Sequence, residues 1–116
     1  MTATTDPGRD RGPRPELTAE RFANPATTDR PGMRWWWQQP VPPADLVREL
    51  GAIHAAGFGE VEIAFSPGFW ADEPQREALA AVLAEAERLG IGVAATVGAA
   101  WPLQTPNTTR GTEHAA

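Results

Sequence analysis

Large apolar side chains recur along this chain at two spacings, and the alternation between them defines its elements. Residues 33–37 are a run of large side chains between the turn signal Arg30-Pro31-Gly32 and Gln38-Gln39-Pro40, which predicts a strand. Leu46, Val47, Leu50 and Ile53 then fall on one helical face until Gly57 stops it, which predicts a helix over 44–56. Pro42 and Pro43 suit the helix start, where a missing N–H does no harm, and Asp45 sits near the positive end of the helix dipole. Val61, Ile63 and Phe65 alternate with Glu60, Glu62 and Ala64, the period of a strand, and Ser66-Pro67-Gly68 ends it. Asp72 and Gln75 have the spacing of a capping box, with Pro74 in the first turn of a second helix. Leu79, Val82, Leu83 and Ala86 form its apolar stripe and Gly90 caps it. Residues 91–97 are the third strand, with Ile91, Val93, Ala95 and Val97 on one face and Gly92, Ala94 and Thr96 on the other.

The order β-α-β-α-β implies right-handed crossovers and a parallel α/β sheet. Crossovers of one hand put both helices on one face and leave the other bare, whereas parallel sheets are normally covered on both. The natural completion is a closed (β/α)8 TIM-type barrel of about 250 residues, of which this unit is the first part. Outside it, residues 1–21 hold only Leu17 as a large apolar side chain after Met1 and read as a disordered leader. Residues 22–103 read as the partial barrel and residues 104–116 as an unstructured tail.

Composition narrows the chemistry. The chain has 116 residues and a net charge of -5. Its bases are all arginine, and no basic stripe is present, which argues against a nucleic-acid partner. The absence of cysteine removes disulfides, thiolate metal sites and a cysteine nucleophile. Neither a secretory signal nor a run of about 18 apolar residues is found, so the expectation is a cytoplasmic protein with no membrane partner.

The strand faces carry the candidate chemistry. If Val61, Ile63 and Phe65 point to the helices, Glu62 points the other way, into a barrel interior, where a carboxylate needs a partner or water. Arg34 shares a face with Trp36, opposite Met33, Trp35 and Trp37, and an inward Arg34 beside Glu62 makes a cross-strand ion pair. The loops after the three strands lie at the catalytic end of a barrel. They hold Trp70 and Trp101, and indole faces near amides and carboxylates suit a sugar. The expected substrate-binding residues are therefore Arg34, Trp36, Glu62, Trp70 and Trp101. For each tryptophan, packing is the competing reading. Glu60, Asp72 and Glu73 read as charges at element starts, His54 as a solvated helix residue, and His114 as part of the tail. Gly57-Phe58-Gly59 precedes a strand rather than a helix, the wrong context for a nucleotide loop.

The run Phe22-Ala23-Asn24-Pro25, then Arg30-Pro31 and Arg34-Trp35-Trp36-Trp37, resembles the opening of glycoside hydrolase family 106, the α-L-rhamnosidases. Leu50, Ala56-Gly57-Phe58-Gly59, Val61-Glu62-Ile63, Leu89-Gly90 and Trp101-Pro102-Leu103 continue the likeness in order, with a departure at Gln38. The resemblance implies a large multidomain enzyme that cleaves terminal rhamnose with inversion, assisted by calcium in the full-length enzyme. No cofactor is expected in this chain itself. The partner it implies is a rhamnose-containing glycan, with acid and base carboxylates on later strands. No catalytic residue is carried over, and Glu62 alone cannot fill both roles, so the chain by itself is expected to be inactive. Two other readings compete with an N-terminal glycosidase fragment. One is a non-catalytic carbohydrate-binding module, or one that self-associates through its open sheet. The other is a piece of an unrelated TIM-barrel isomerase or aldolase.

Overall fold

A computed structural model describes residues 15–96. Its elements are α1 (Ala19–Ala23), β1 (Gly32–Trp37), α2 (Pro43–Ala55), β2 (Glu60–Phe65), α3 (Glu73–Leu89) and β3 (Gly92–Ala95), with 3-10 turns at Thr27–Asp29 and Phe69–Ala71. The three strands form one parallel sheet in the order β1-β2-β3. The mixed α/β order expected from periodicity is therefore present. Val97 of the expected third strand, Trp101 and the tail at 104–116 lie outside the described residues.

One face of the sheet folds the protein. Trp35, Trp37, Val61, Ile63 and Phe65 are all at most 5% exposed and share a core with Leu46, Leu50 and Ile53 of α2 and Ala78, Val82 and Ala86 of α3. Both helices thus cover the same face, as right-handed crossovers require. Aromatic rings fill its C-terminal end. Trp35 meets Trp37 edge to face at 5.2 Å, Trp37 meets Phe65 at 5.9 Å, and Phe65 stacks on Phe69 at 3.9 Å. The Trp35 indole N–H donates to Glu49 Oε1 of α2 at 3.0 Å, which ties the edge strand to its crossover helix.

Three features depart from the sequence reading. The apolar stripe of α3 is shifted: Val82 and Ala86 are buried as expected, Ala78 joins them, Leu79 packs at the margin, and Leu83 is 46% exposed. Small side chains at i, i+4 and i+8 let α3 lie close to the core, and that close approach outweighs the greater apolar area of Leu83. The capping box at Asp72 does not form. Asp72 stands at the N-cap position without a side-chain bond, and Gln75 Oε1 instead accepts from the buried Ser66 hydroxyl at 3.3 Å. Finally, α1 occupies part of the stretch read as a leader. Thr18 Oγ1 caps it by accepting from the Arg21 backbone N–H at 3.1 Å, and no residue of α1 is buried.

Candidate functional site

The face of the sheet away from the helices carries the chemistry. Strand alternation puts Gly32, Arg34 and Trp36 of β1, Glu60, Glu62 and Ala64 of β2, and Gly92 and Ala94 of β3 on this side. Parallel register aligns them in rows: Gly32, Glu60 and Gly92; then Arg34, Glu62 and Ala94; then Trp36 and Ala64. No helix among the described residues covers this face. Trp36 is 59% exposed, against 4% for Trp35 and 5% for Trp37 on either side of it in sequence.

The expected ion pair is formed. Arg34 Nη2 donates to Glu62 Oε1 at 3.0 Å and Oε2 at 2.9 Å, and Nε donates to Oε2 at 3.3 Å. Both side chains remain about half in contact with water, so neither charge bears the full cost of burial. The same guanidinium lies 5.6 Å from the Trp36 ring centroid, a cation-π distance. Arg34 is thereby held from two sides, by a carboxylate on the next strand and by an indole two residues on. Nη1 has no hydrogen-bond partner among the described residues.

This arrangement offers a flat apolar plate beside a neutral pair of hydrogen-bonding groups. An indole face takes apolar C–H groups, and a fixed guanidinium–carboxylate pair both donates and accepts hydrogen bonds. Glu60 shares the face, one row from Glu62, and both neighbouring strands present glycine at its level. A Cβ at Gly92 would meet Glu60 Cγ at 3.5 Å and one at Gly32 would meet Glu60 Cβ at 3.7 Å, ordinary van der Waals contacts, so the glutamate does not require glycine on either side. Period-2 alternation already placed Glu60 on this side in the sequence, although its position at a strand start drew the reading away from it.

Arg34, Trp36 and Glu62 are thus brought together, and Trp70 is not. Its ring packs edge to face on Phe65 at 5.2 Å and on Phe69 at 5.0 Å, with the helix-side aromatics, and its carbonyl accepts from Arg76 Nη1 at 2.6 Å. Trp101 lies outside the described residues. Glu49 was missed because its role, accepting the Trp35 indole N–H, depends on where α2 lies over β1 and leaves no sign in the local pattern.

No group of three or more His, Cys, Asp or Glu side chains that could hold a metal ion occurs among the described residues. The two carboxylates of the open face, one of them already engaged by Arg34, do not make the oxygen-rich cage that calcium takes. No helix among the described residues is long and apolar enough to cross a membrane. Compared with protein-family models, curated proteins and solved structures, the chain matches none.

Proposed function

We propose that this chain forms the opening three strands and two crossover helices of a (β/α)8 glycoside-hydrolase barrel similar to the α-L-rhamnosidases of family 106, and that its part in that barrel is to bind sugar. The observation that carries the reading is the Arg34–Glu62 pair beside an exposed Trp36 on the uncovered face of a parallel sheet. In a closed barrel this face is the interior, where ligand-binding side chains project. The indole receives the apolar face of a pyranose such as rhamnose, and the ion pair receives its hydroxyls. Two parallel edges and one bare face are also what further strand–helix units would complete.

Hydrolysis with inversion requires two carboxyl groups about 6.5 to 9.5 Å apart on opposite sides of the sugar. Glu60 and Glu62 project side by side from one strand, and Glu62 is committed to Arg34, so they do not flank a ligand in that way. The acid and base of the reaction belong to other strands of the barrel. This chain binds and orients a rhamnosyl group and does not cleave it.

The test is a titration of the isotope-labelled chain with L-rhamnose, following the five indole N–H signals by NMR. The Trp36 signal, assigned by its loss in Trp36→Phe, is expected to move while those of Trp35 and Trp37 stay fixed. A stationary Trp36 signal overturns the binding reading. Hydrolysis of an aryl rhamnoside by the pure chain overturns the assignment of catalysis to other strands.

A further inference from the structure

The residues that carry the family resemblance at the N-terminal side, Asn24-Pro25, Arg30-Pro31 and Gly57-Phe58-Gly59, are far apart in sequence, and none of them belongs to the open face. In the fold they meet. The Gly59 N–H donates to the Pro31 carbonyl at 3.0 Å, and the Gly59 carbonyl accepts from the Gly92 N–H at 2.9 Å, so this glycine links the chain before β1 to the start of β3. A Cβ at Gly59 would overlap the Thr27 carbonyl oxygen and lie 2.9 Å from Arg30 Cβ. The backbone of the Thr27–Asp29 turn therefore rests directly on Gly59, one residue ahead of β2.

Two arginines hold this segment in place. Arg30 Nε donates to the Pro25 carbonyl at 3.0 Å and Nη2 to Asn24 Oδ1 at 3.2 Å, which folds residues 24–30 into a closed loop. Arg21 Nη1 donates to the carbonyls of Pro15 at 2.7 Å and Glu16 at 2.8 Å, while Nη2 pairs with Asp29 at 3.3 Å. Apolar burial does not hold the segment, since its large apolar side chains Leu17 and Phe22 are 73% and 78% exposed.

We infer that residues 24–31 are a strap clamped across the N-terminal end of the sheet, with Gly59 as its seat and Arg30 as its clasp. This inference rests on the contacts of residues 15–31 with one another and with Gly59, and stands or falls independently of the sugar-binding reading.

Limited trypsin digestion of the full chain, followed by mass spectrometry, tests it. The Arg21–Phe22 bond reports on the strap, and Arg48, Arg76 and Arg88 report on α2 and α3; the Arg30–Pro31 bond resists trypsin because proline follows. Arg30→Ala removes two hydrogen bonds internal to the strap and is expected to speed cleavage after Arg21 about tenfold, with the three helix sites unchanged. Gly59→Ala, which forces the Thr27 carbonyl off its seat, is expected to speed it further. An unchanged rate after Arg21 in Arg30→Ala overturns the inference, and so does an equal rise at all four sites, which would report loss of the whole fold. Because Arg30 contacts strap residues and not the helix-side core, its variant decides the matter even if Gly59→Ala fails to fold.

Discussion

Replacing each of three consecutive tryptophans by alanine measures the division of the sheet into two faces. Trp35 is 4% exposed and Trp36 is 59% exposed, although they are neighbours of one residue type in one strand. Intrinsic strand propensity is therefore held constant, and only burial differs. A tryptophan offers up to about 250 Å² to bury, so the two positions differ by about 140 Å² removed from water. At about 25 cal/mol per Å² this corresponds to about 3.5 kcal/mol. Trp35→Ala is thus expected to cost about 4 kcal/mol, within the range for large buried aromatics, and Trp36→Ala about 1 kcal/mol. The indole N–H of Trp35 adds little to the difference, because Glu49 is solvated when released.

Urea unfolding followed by far-ultraviolet circular dichroism gives both values. For a domain of this size the midpoint is expected to fall by about 1 M or less in Trp36→Ala, whereas Trp35→Ala consumes most of a stability of roughly 5 kcal/mol and leaves little folded baseline. Trp37→Ala behaves like Trp35→Ala, since its ring is 5% exposed and touches Trp35, Phe65 and Phe69. Equal losses in Trp35→Ala and Trp36→Ala would refute the reasoning, because they would mean that the second face of the sheet is buried in solution.

Two further outcomes follow from the charged pairs. A double-mutant cycle on Arg34 and Glu62, with Arg34→Gln and Glu62→Gln, is expected to give a coupling of at most about 1 kcal/mol that shrinks in molar salt, because both side chains are about half solvated; a larger, salt-insensitive coupling would place the pair in a dry interior. On α3, the hydrogen bond from Arg88, opposed by partial desolvation and reinforced by the Arg88 charge, holds the Glu85 carboxyl below its ordinary range. A carboxyl with a lowered folded-state pKa contributes stability above its unfolded pKa, and that contribution fades as pH falls through the folded value. The melting temperature of Glu85→Gln should therefore lie below that of the unaltered chain at neutral pH, and the gap should close below about pH 4; a gap independent of pH would exclude the ion pair as its source.

The elements and the two faces of β1 and β2 were legible in the sequence because alternation is a local property. The Arg34–Glu62 contact was legible too, since facing side chains of opposite charge on adjacent strands have one obvious way to meet. What the pattern missed depends on neighbours it does not contain. The expected α3 stripe was right at Val82 and Ala86, but ranking by hydrophobicity added Leu83, which is exposed, and passed over Ala78, which is buried. Trp70 at a strand end read as a ligand-facing ring, and its contacts with Phe65 and Phe69, made while it stays 36% exposed, depend on neighbours that the local pattern does not contain. The segment before β1 lacks buried apolar residues, and its order comes from arginines bonded to carbonyl oxygens, which no hydropathy reading detects. Gly59 was read only as part of a glycine run ahead of a strand, and its necessity becomes visible once Thr27 is seen resting on it.

The two sides of the sheet answer different demands. The helix side holds the fold, with its buried tryptophans, branched aliphatics and alanines supplying the apolar area that offsets chain entropy. The other side contributes little to that balance. An ion pair exposed to water is worth at most about 1 kcal/mol, and an exposed indole sacrifices apolar burial. Stability of the sheet alone would be better served by small or β-branched residues at positions 34, 36 and 62, since they need neither a charged partner nor hydration. Under the sugar-binding proposal, the uncovered Trp36 and the guanidinium beside it would meet a ligand with an apolar face and several hydroxyls, and the Glu62 pair already holds that guanidinium in one orientation. Preorganisation of this kind lowers the entropic cost of binding. The strap at the opposite end is consistent with the same division, because it secures the sheet through backbone contacts at Gly59 and leaves the rows of Arg34 and Trp36 free.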